Sequence, residues 1–436
     1  MEISRRRWLG ASLTGPVAAG ALATLGLEAD AQNPPQQAAQ RSLPKAFDAL
    51  RPLGESVHPI TPQEFAGRRE LAQKLMSSSD PNCAADALYV TSGSALYYYA
   101  AFHWGLSERL MAFVLPKRGE PFFISPAFEA DRLRELVPPG SEIRAWEEDE
   151  SPHALTVKTL ADRGIRSGKI AIEERVPFAF VDGLRNANSS LELISANGVT
   201  IRCRGMKSAA ERELMRLACY ATVDCFRAVF ASLQEGMTER DINGLIRGGF
   251  GKMGLEGGAL VLFGQWAALP HGTRTPQKLR EGDVVLIDGG TSVEGYQSDV
   301  TRTTVLGTPA EKHRRAFAAV RQAQEAALDA ARALHFSGSV DDAARAAIVK
   351  AGYPGGYKVF THRLGHGIGL DGHEHPYLVR GSKTVLAPGM TFSNEPGIYL
   401  KGDFGLRLED DMVITADGPA QLLTPGLSES LEKPCE

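Results

Sequence analysis

The sequence predicts a mixed α/β protein of two domains, the second built on one helix–helix–sheet pattern used twice. Three observations predict it. The chain has 436 residues, more than a single hydrophobic core ordinarily serves. Its composition, 43% hydrophobic and 23% charged, is that of a globular protein. Helix-capping signals alternate along it with short apolar runs, as they do where helices interleave with strands.

The N-terminus reads as an address. Ser4-Arg5-Arg6-Arg7-Trp8-Leu9 is a twin-arginine pair followed by bulky apolar residues, and the stretch from Leu9 to Leu27 carries no charge. Ala29-Asp30-Ala31 supplies the small-x-small pattern that precedes a signal-peptidase cut. Pro16 and the many Ala, Gly and Thr residues make a lasting membrane anchor the poorer reading. Residues 1–31 are therefore expected to be removed after export by the twin-arginine route. A mature chain starting near Gln32 would be periplasmic or extracellular, without stable membrane insertion. Residues 32–56, rich in Pro, Gln and Ala and without periodicity, are expected to form a linker or poorly ordered arm.

An α/β domain is expected over 57–200. Thr61-Pro62-Gln63-Glu64 is a capping box with proline at the first helical position, and it opens a helix to about Met76. Strand-like runs follow at 87–91, 110–115, 121–125 and 169–173, with helices opening at Ser125-Pro126 and near Ser151-Pro152. The second domain, 201–436, opens at Ser208-Ala209-Ala210-Glu211 with a long helix to about Leu233. Thr238-Glu239-Arg240-Asp241 caps the next, and strands run to Leu306. The pattern then recurs: Thr308-Pro309-Ala310-Glu311 caps a helix to about His335, residues 339–342 cap another, and strands run to Ile414. Two such halves facing each other would wrap helices around a curved sheet, with a site between them.

Charge and cysteine content narrow the function. A net charge of −4 leaves no basic footprint for nucleic acid. Cys83, Cys203, Cys219, Cys225 and Cys435 form no CxxC pair, and five scattered thiols are no disulfide framework. Cys219 and Cys225 fall on different faces of one helix, so they are read as plain buried thiols.

The chemistry lies in the second domain. Val284-Val285-Leu286-Ile287 ends in Asp288-Gly289-Gly290, and a buried strand ending in a carboxylate needs a partner for the charge. On the returning strand, 296–305, Asp299, Thr301 and Thr303 share a face, so Asp288 and Asp299 should oppose each other across a hairpin. Of ten histidines, His362, His366, His373 and His375 crowd one glycine-rich stretch. Glu395 ends another apolar strand, and Arg407 and Glu409, two residues apart, point to one face. Asp410 and Asp411 read as a solvated strand edge. Four carboxylates and an imidazole around one cavity are untenable without cations. Two divalent ions would neutralise them, manganese first, with zinc, cobalt or iron as alternatives. Ions about 3.5–4 Å apart can share a water and bring its pKa from about 16 towards 7.

With these residues in hand, the chain resembles the metallopeptidases of the pita-bread fold: methionine aminopeptidase, aminopeptidase P, prolidase and the creatinase relatives. The resemblance rests on Leu269-Pro270-His271-Gly272, the Asp288/Asp299 hairpin, His362-x-x-Gly365-His366-Gly367-Ile368-Gly369, Asn394-Glu395-Pro396-Gly397 and Arg407-Leu408-Glu409-Asp410. It covers most of the chain and implies a pita-bread catalytic domain behind a smaller creatinase-like α/β domain. The His-rich block behind that domain resembles the proline-specific branch.

The resemblance implies that Asp288 chelates one metal, Asp299 and Glu409 bridge both, and His366 and Glu395 complete the second. It gives His271 and His373 to substrate contact and proton transfer, His362 to substrate binding, and Arg407 to orienting a carboxylate. It implies a homodimer and a peptide substrate with proline in second position, cleaved by a metal-bridging hydroxide. No role falls to His375, read as a surface histidine, and Trp266 and Tyr399 serve either the pocket or the core. Two rivals stand beside this: an enzyme of the same fold acting on a non-peptide C–N or C–S bond, and a non-catalytic binding module.

Overall fold

A computed structural model describes residues 42–436. The expected signal segment at 1–31 and the arm up to residue 41 lie outside the described residues. From Ser42 onward the arm is folded, which corrects the expectation for 42–56. Short 3-10 turns at Lys45–Ala49 and Gly54–Ser56 carry it, and Phe47 is fully buried in a core with Cys225, Phe226 and Ile246. Phe47 and the buried Leu50 supply the apolar surface that pins a segment whose composition reads as disordered.

The first domain holds α1 (Pro62–Met76), β1 (Ala87–Val90), α2 (Ser94–Ala100), β2 (Ala112–Pro116), β3 (Phe122–Pro126), α3 (Ala130–Leu136), β4 (Glu142–Trp146), α4 (Pro152–Asp162), β5 (Gly168–Ile172), α5 (Phe178–Ala187), β6 (Leu191–Ser195) and α6 (Asn197–Gly205). Its six strands lie in the order β4-β3-β2-β1-β5-β6. Alternation along β1 feeds two cores. Leu88 and Val90 face the side of α1, α2 and α6, while Ala87 and Tyr89 face α4 and α5.

The second domain repeats helix–helix–sheet. Its first half is α7 (Ala209–Phe230), α8 (Glu239–Lys252), β7 (Gly257–Phe263), β8 (Val284–Val293), β9 (Tyr296–Gln297) and β10 (Val300–Val305). The second half is α9 (Glu311–Ala330), α10 (Ser337–Lys350), β11 (Gly365–Gly367), β12 (Glu374–Leu378), β13 (Thr391–Asn394), β14 (Gly397–Leu400), β15 (Phe404–Arg407), β16 (Asp410–Val413) and β17 (Gln421–Leu422). Strands order as β10-β8-β7 in one half and β12-β11-β13-β16-β17 in the other, with β14-β15 as a separate hairpin. Among the described residues an antiparallel bridge, Thr301 to Glu409, joins the halves. β8 is buried on both faces: Val284 and Leu286 join the core under α9 and α10, Val285 and Ile287 the core under α7 and α8.

Capping boxes form at Ser208/Glu211 and Thr238/Asp241 as the sequence predicts. The two caps expected in the second half do not. The N-cap of α9 is Ala310 and that of α10 is Phe336, neither with a side-chain cap. The Ser339 hydroxyl donates instead to the Phe336 carbonyl, and α9 stops at Ala330, short of His335. The returning strand predicted over 296–305 is interrupted at Ser298-Asp299, which frees the Asp299 carboxylate from the strand face.

Candidate metal centre

Five side chains from five segments converge where the halves meet. Asp288 lies within β8, Asp299 between β9 and β10, His366 in the middle of β11, Glu395 just past β13 and Glu409 just before β16. Oxygens of Asp288, Asp299 and Glu409 lie within 4.8 Å of one another, and ligand atoms of His366, Glu395 and Glu409 do the same. Glu409 belongs to both groups. A third such group is Asp299, His366 and His373.

Close backbone approach makes this convergence possible. A Cβ on Gly365 would stand 2.0 Å from the Ser393 carbonyl oxygen, and one on Gly405 would stand 1.9 Å from that of Ala267. Only glycine lets β11 lie against β13, or β15 against the segment that leads to His271.

Hydrogen bonds orient the acids. The Thr301 hydroxyl lies 2.9 Å from Asp288 Oδ1 and 2.6 Å from Glu409 Oε2. The buried Arg407 donates from Nε to Thr301 at 3.0 Å, from Nη1 to the Tyr399 hydroxyl at 2.9 Å and from Nη2 to Asp288. Ser393 donates to Glu395 at 3.3 Å. His366 Nδ1 sits 3.1 Å from the Gly367 carbonyl, which places the proton there and leaves the Nε2 lone pair facing Glu395 at 3.4 Å and Asp299 at 3.7 Å.

The electrostatics are those of a cation site. Burial, then the charges of Asp288, Asp411 and Glu395, pushes the Asp299 carboxyl far above the usual carboxylate range. Burial and the charge of Asp299 do the same to Glu409, and burial lifts Glu395 to about 8 against the pull of Arg407. Burial and the neighbouring His373 hold His366 far below the usual histidine range, as a neutral ligand must be. One arginine does not compensate four acids. The donor set of carboxylates and one neutral imidazole suits divalent ions, and the cluster would otherwise hold protons at neutral pH.

Comparison with known proteins fits this geometry. Residues 213–416 match the model of metallopeptidase family M24, and residues 68–206 match the creatinase/prolidase N-terminal domain. The Xaa-Pro dipeptidase of Lactobacillus helveticus is 33% identical over 339 residues, covering 76% of this chain and 91% of that one. The chain belongs to metallopeptidase family M24. Among solved structures, dipeptidase PepE from Mycobacterium ulcerans superposes with a TM-score of 0.78 at 32% identity, covering 85% of this chain and 98% of the other. Prolidase from Thermococcus sibiricus does so with 0.74 at 30%, covering 83% and 97%. The fold is accordingly the pita-bread fold behind a creatinase-like domain.

Around the four acids and one imidazole of this M24 metallopeptidase, the other predicted residues take distinct places. His373 is exposed and stacks on His366, ring centroids 3.7 Å apart. His362 is held between the Arg363 carbonyl at 2.7 Å and the Tyr399 hydroxyl at 2.8 Å. Burial and Arg407 push it down to about 3, so it is neutral. His271 is exposed. His375 stays at the surface, 3.6 Å from Glu174. Trp266 is half-buried, whereas Tyr399 is a hub of the site, bonded to both His362 and Arg407.

Thr301 and Ser393 also orient the acids, and neither was singled out as a site residue from the sequence. Asp410 and Asp411 correct the expectation of a solvated edge, for both are fully buried. Arg302 pairs with Asp410 at 2.6 Å, and Asp411 accepts from the Asp299 backbone at 3.0 Å. Their signal was present: with Glu409 they make three consecutive acids between Leu408 and Met412-Val413-Ile414, as costly to bury as Asp288 at the end of its apolar run.

Proposed function

We propose that this M24 peptidase is a dinuclear, manganese-dependent Xaa-Pro dipeptidase. The observation that carries the reading is the pair of ligand groups sharing Glu409, the arrangement that a residue bridging two ions requires. Asp288 would hold one ion, His366 and Glu395 the other, and Asp299 would bridge with Glu409. Two divalent ions there would supply Lewis acidity and a water acidified to near neutrality. The relatives named dipeptidase or prolidase support the substrate class.

The chain's own groups would do the rest. Arg407 and Thr301 fix the Asp288 and Glu409 oxygens, so the acids need no reorganisation during the reaction. His373, exposed and close to Asp299, and the exposed His271 would donate a hydrogen bond to the carbonyl oxygen as it gains charge, or pass a proton to the leaving proline nitrogen. His362, locked by Tyr399, would contact the bound peptide as a neutral group. Proline in the leaving position is a tertiary amide without N–H, so recognition falls to shape and to its carboxylate.

The test is hydrolysis of Ala-Pro, Ala-Ala and Ala-Pro-Ala by manganese-loaded protein. Cleavage of Ala-Pro ahead of the other two is expected. Failure to cut any Xaa-Pro bond at full metal loading would overturn the peptidase assignment, and cleavage of Ala-Pro-Ala alone would move it to the aminopeptidase P type.

Export by the twin-arginine route, with a mature start near Gln32 in the periplasm or outside the cell, belongs to the same proposal. N-terminal sequencing of the secreted protein checks it, and retention of residues 1–31 would oppose it. A homodimer is proposed likewise, with sedimentation as its check. No nucleic-acid partner is proposed at a net charge of −4.

A further inference from the structure

His373 has little of its own to fix it. Among the described residues its ring makes no hydrogen bond, and it lies only against His366, ring centroids 3.7 Å apart. Next to it, Gly372 has open space where a Cβ would stand, so the backbone there has room to turn.

The residues on either side are held instead. Asp371, two positions before, and Glu374, one position after, both accept from Arg204 Nη2 at 2.6 Å. That nitrogen carries two hydrogens in one plane, so a single group spans the histidine. Arg204 is buried on α6, in the other domain. Lys207, also buried and just past α6, donates to the second Glu374 oxygen, and Arg175 reaches the second Asp371 oxygen at 2.7 Å. Bonds between ionised groups with little water around them are strong and geometrically strict. The ion pairs of Arg204 are with these two acids and with no metal ligand.

We infer that Arg204 is a positioning residue for His373, setting from the creatinase-like domain where that imidazole stands beside Asp299 and His366. The inference rests on the dipeptidase reading above, in which His373 touches the substrate. Reaction rate is steep in such placement, since an error of about 1 Å costs about a hundredfold. The first domain thereby contributes to the rate through a side chain that binds neither ion.

The experiment is a double-mutant cycle on Ala-Pro hydrolysis with Arg204→Gln, His373→Ala and the pair, beside Arg204→Lys. Arg204→Gln should lower kcat by about tenfold to a hundredfold, with KM and bound manganese nearly unchanged. In the His373→Ala background the same change should cost nothing further, because the residue it acts through is gone. Arg204→Lys should recover part of the rate, the charge returning without the planar fork. A readout free of turnover is diethylpyrocarbonate modification of metal-free protein, followed residue by residue by mass spectrometry. His373 should react several-fold faster in Arg204→Gln, and the exposed His271 at the wild-type rate. Should Arg204→Gln fail to fold, Asp371→Asn, which removes one anchor and leaves the arginine paired with Glu374, carries the same cycle. Wild-type kcat, an equal loss in both backgrounds, or unchanged modification of His373 would overturn the inference. A wild type that hydrolyses no Xaa-Pro bond would instead be a failure of the dipeptidase reading.

Discussion

The Thr301 hydroxyl has one hydrogen and stands between two carboxylates. Because Arg407 already donates to its oxygen, Thr301 can satisfy Asp288 or Glu409 but not both as anions. The acid left over needs a cation, which is why Glu409 is the residue on which the centre depends most. Glu409→Gln keeps shape and removes charge. It should lower kcat by more than a hundredfold and bring bound manganese below two ions per chain, measured by elemental analysis beside kinetics; about 10–100-fold is what even supporting residues of metal sites cost. Wild-type turnover by this variant would place the chemistry elsewhere. At this scale the sequence was most legible where an acid ends an apolar run, as Asp288 and Glu395 do. It was least legible where the partner is remote: Arg302, which neutralises Asp410, lies 108 residues away, and no local pattern announces the pair.

The segment that carries His373 is clamped from the other domain. Arg204, in α6, donates to Asp371 and to Glu374 at 2.6 Å each, and Arg175 and Ser94 each reach Asp371 at 2.7 Å. Lys207 closes the pair with Glu374. His373 therefore stands between two acids anchored to the creatinase-like domain. Burial acts to raise the Asp371 carboxyl, but Arg204, Ser94 and Arg175 more than offset it and hold the group below its ordinary range. A carboxyl depressed on folding stabilises the native state above its unfolded pKa and loses that contribution as pH falls through the folded value. Asp371→Asn should thus cost about 2 kcal/mol at pH 7. The gap in melting temperature from wild type should begin to narrow only as pH falls below the ordinary carboxylate value of about 4, towards the lower value of the folded group. A gap of constant size from about pH 7 down through the acid range would assign it to lost packing. Elements of this kind were readable where caps were strong, as at Ser208 and Thr238, and unreadable where tertiary contacts decide. The folded part of the 42–56 arm rests on Phe47 and Leu50, two apolar residues in a stretch without periodicity, and α9 and α10 start without any side-chain cap.

Across the whole molecule, the two halves of the catalytic domain both contribute carboxylates to one seam. Asp288 and Asp299 come from the first half, and His366, Glu395 and Glu409 from the second. The repeat itself was visible in the order of helices and strands. The bridge from Thr301 to Glu409 that brings the halves together was not, since it links segments far apart in the chain. Ions bound at the seam would tie the halves, and stripping them leaves acids that repel across it. Chelation should then lower the melting temperature by about 5 °C or more relative to protein held at a hundredfold excess of manganese over Kd. The size of that shift should depend on pH in a set direction. In the metal-free form Glu395 is pushed up to about 8, and Asp299 and Glu409 lie well above their ordinary values. The metal-free native state therefore binds more protons than the unfolded chain, so its stability falls as pH rises. The metal-loaded form, its acids already neutralised by cations, escapes that loss. Melting curves with manganese and with chelator should consequently separate most near pH 8 and draw together near pH 5, and curves that stay parallel would mean that the acids are not compensated by metal.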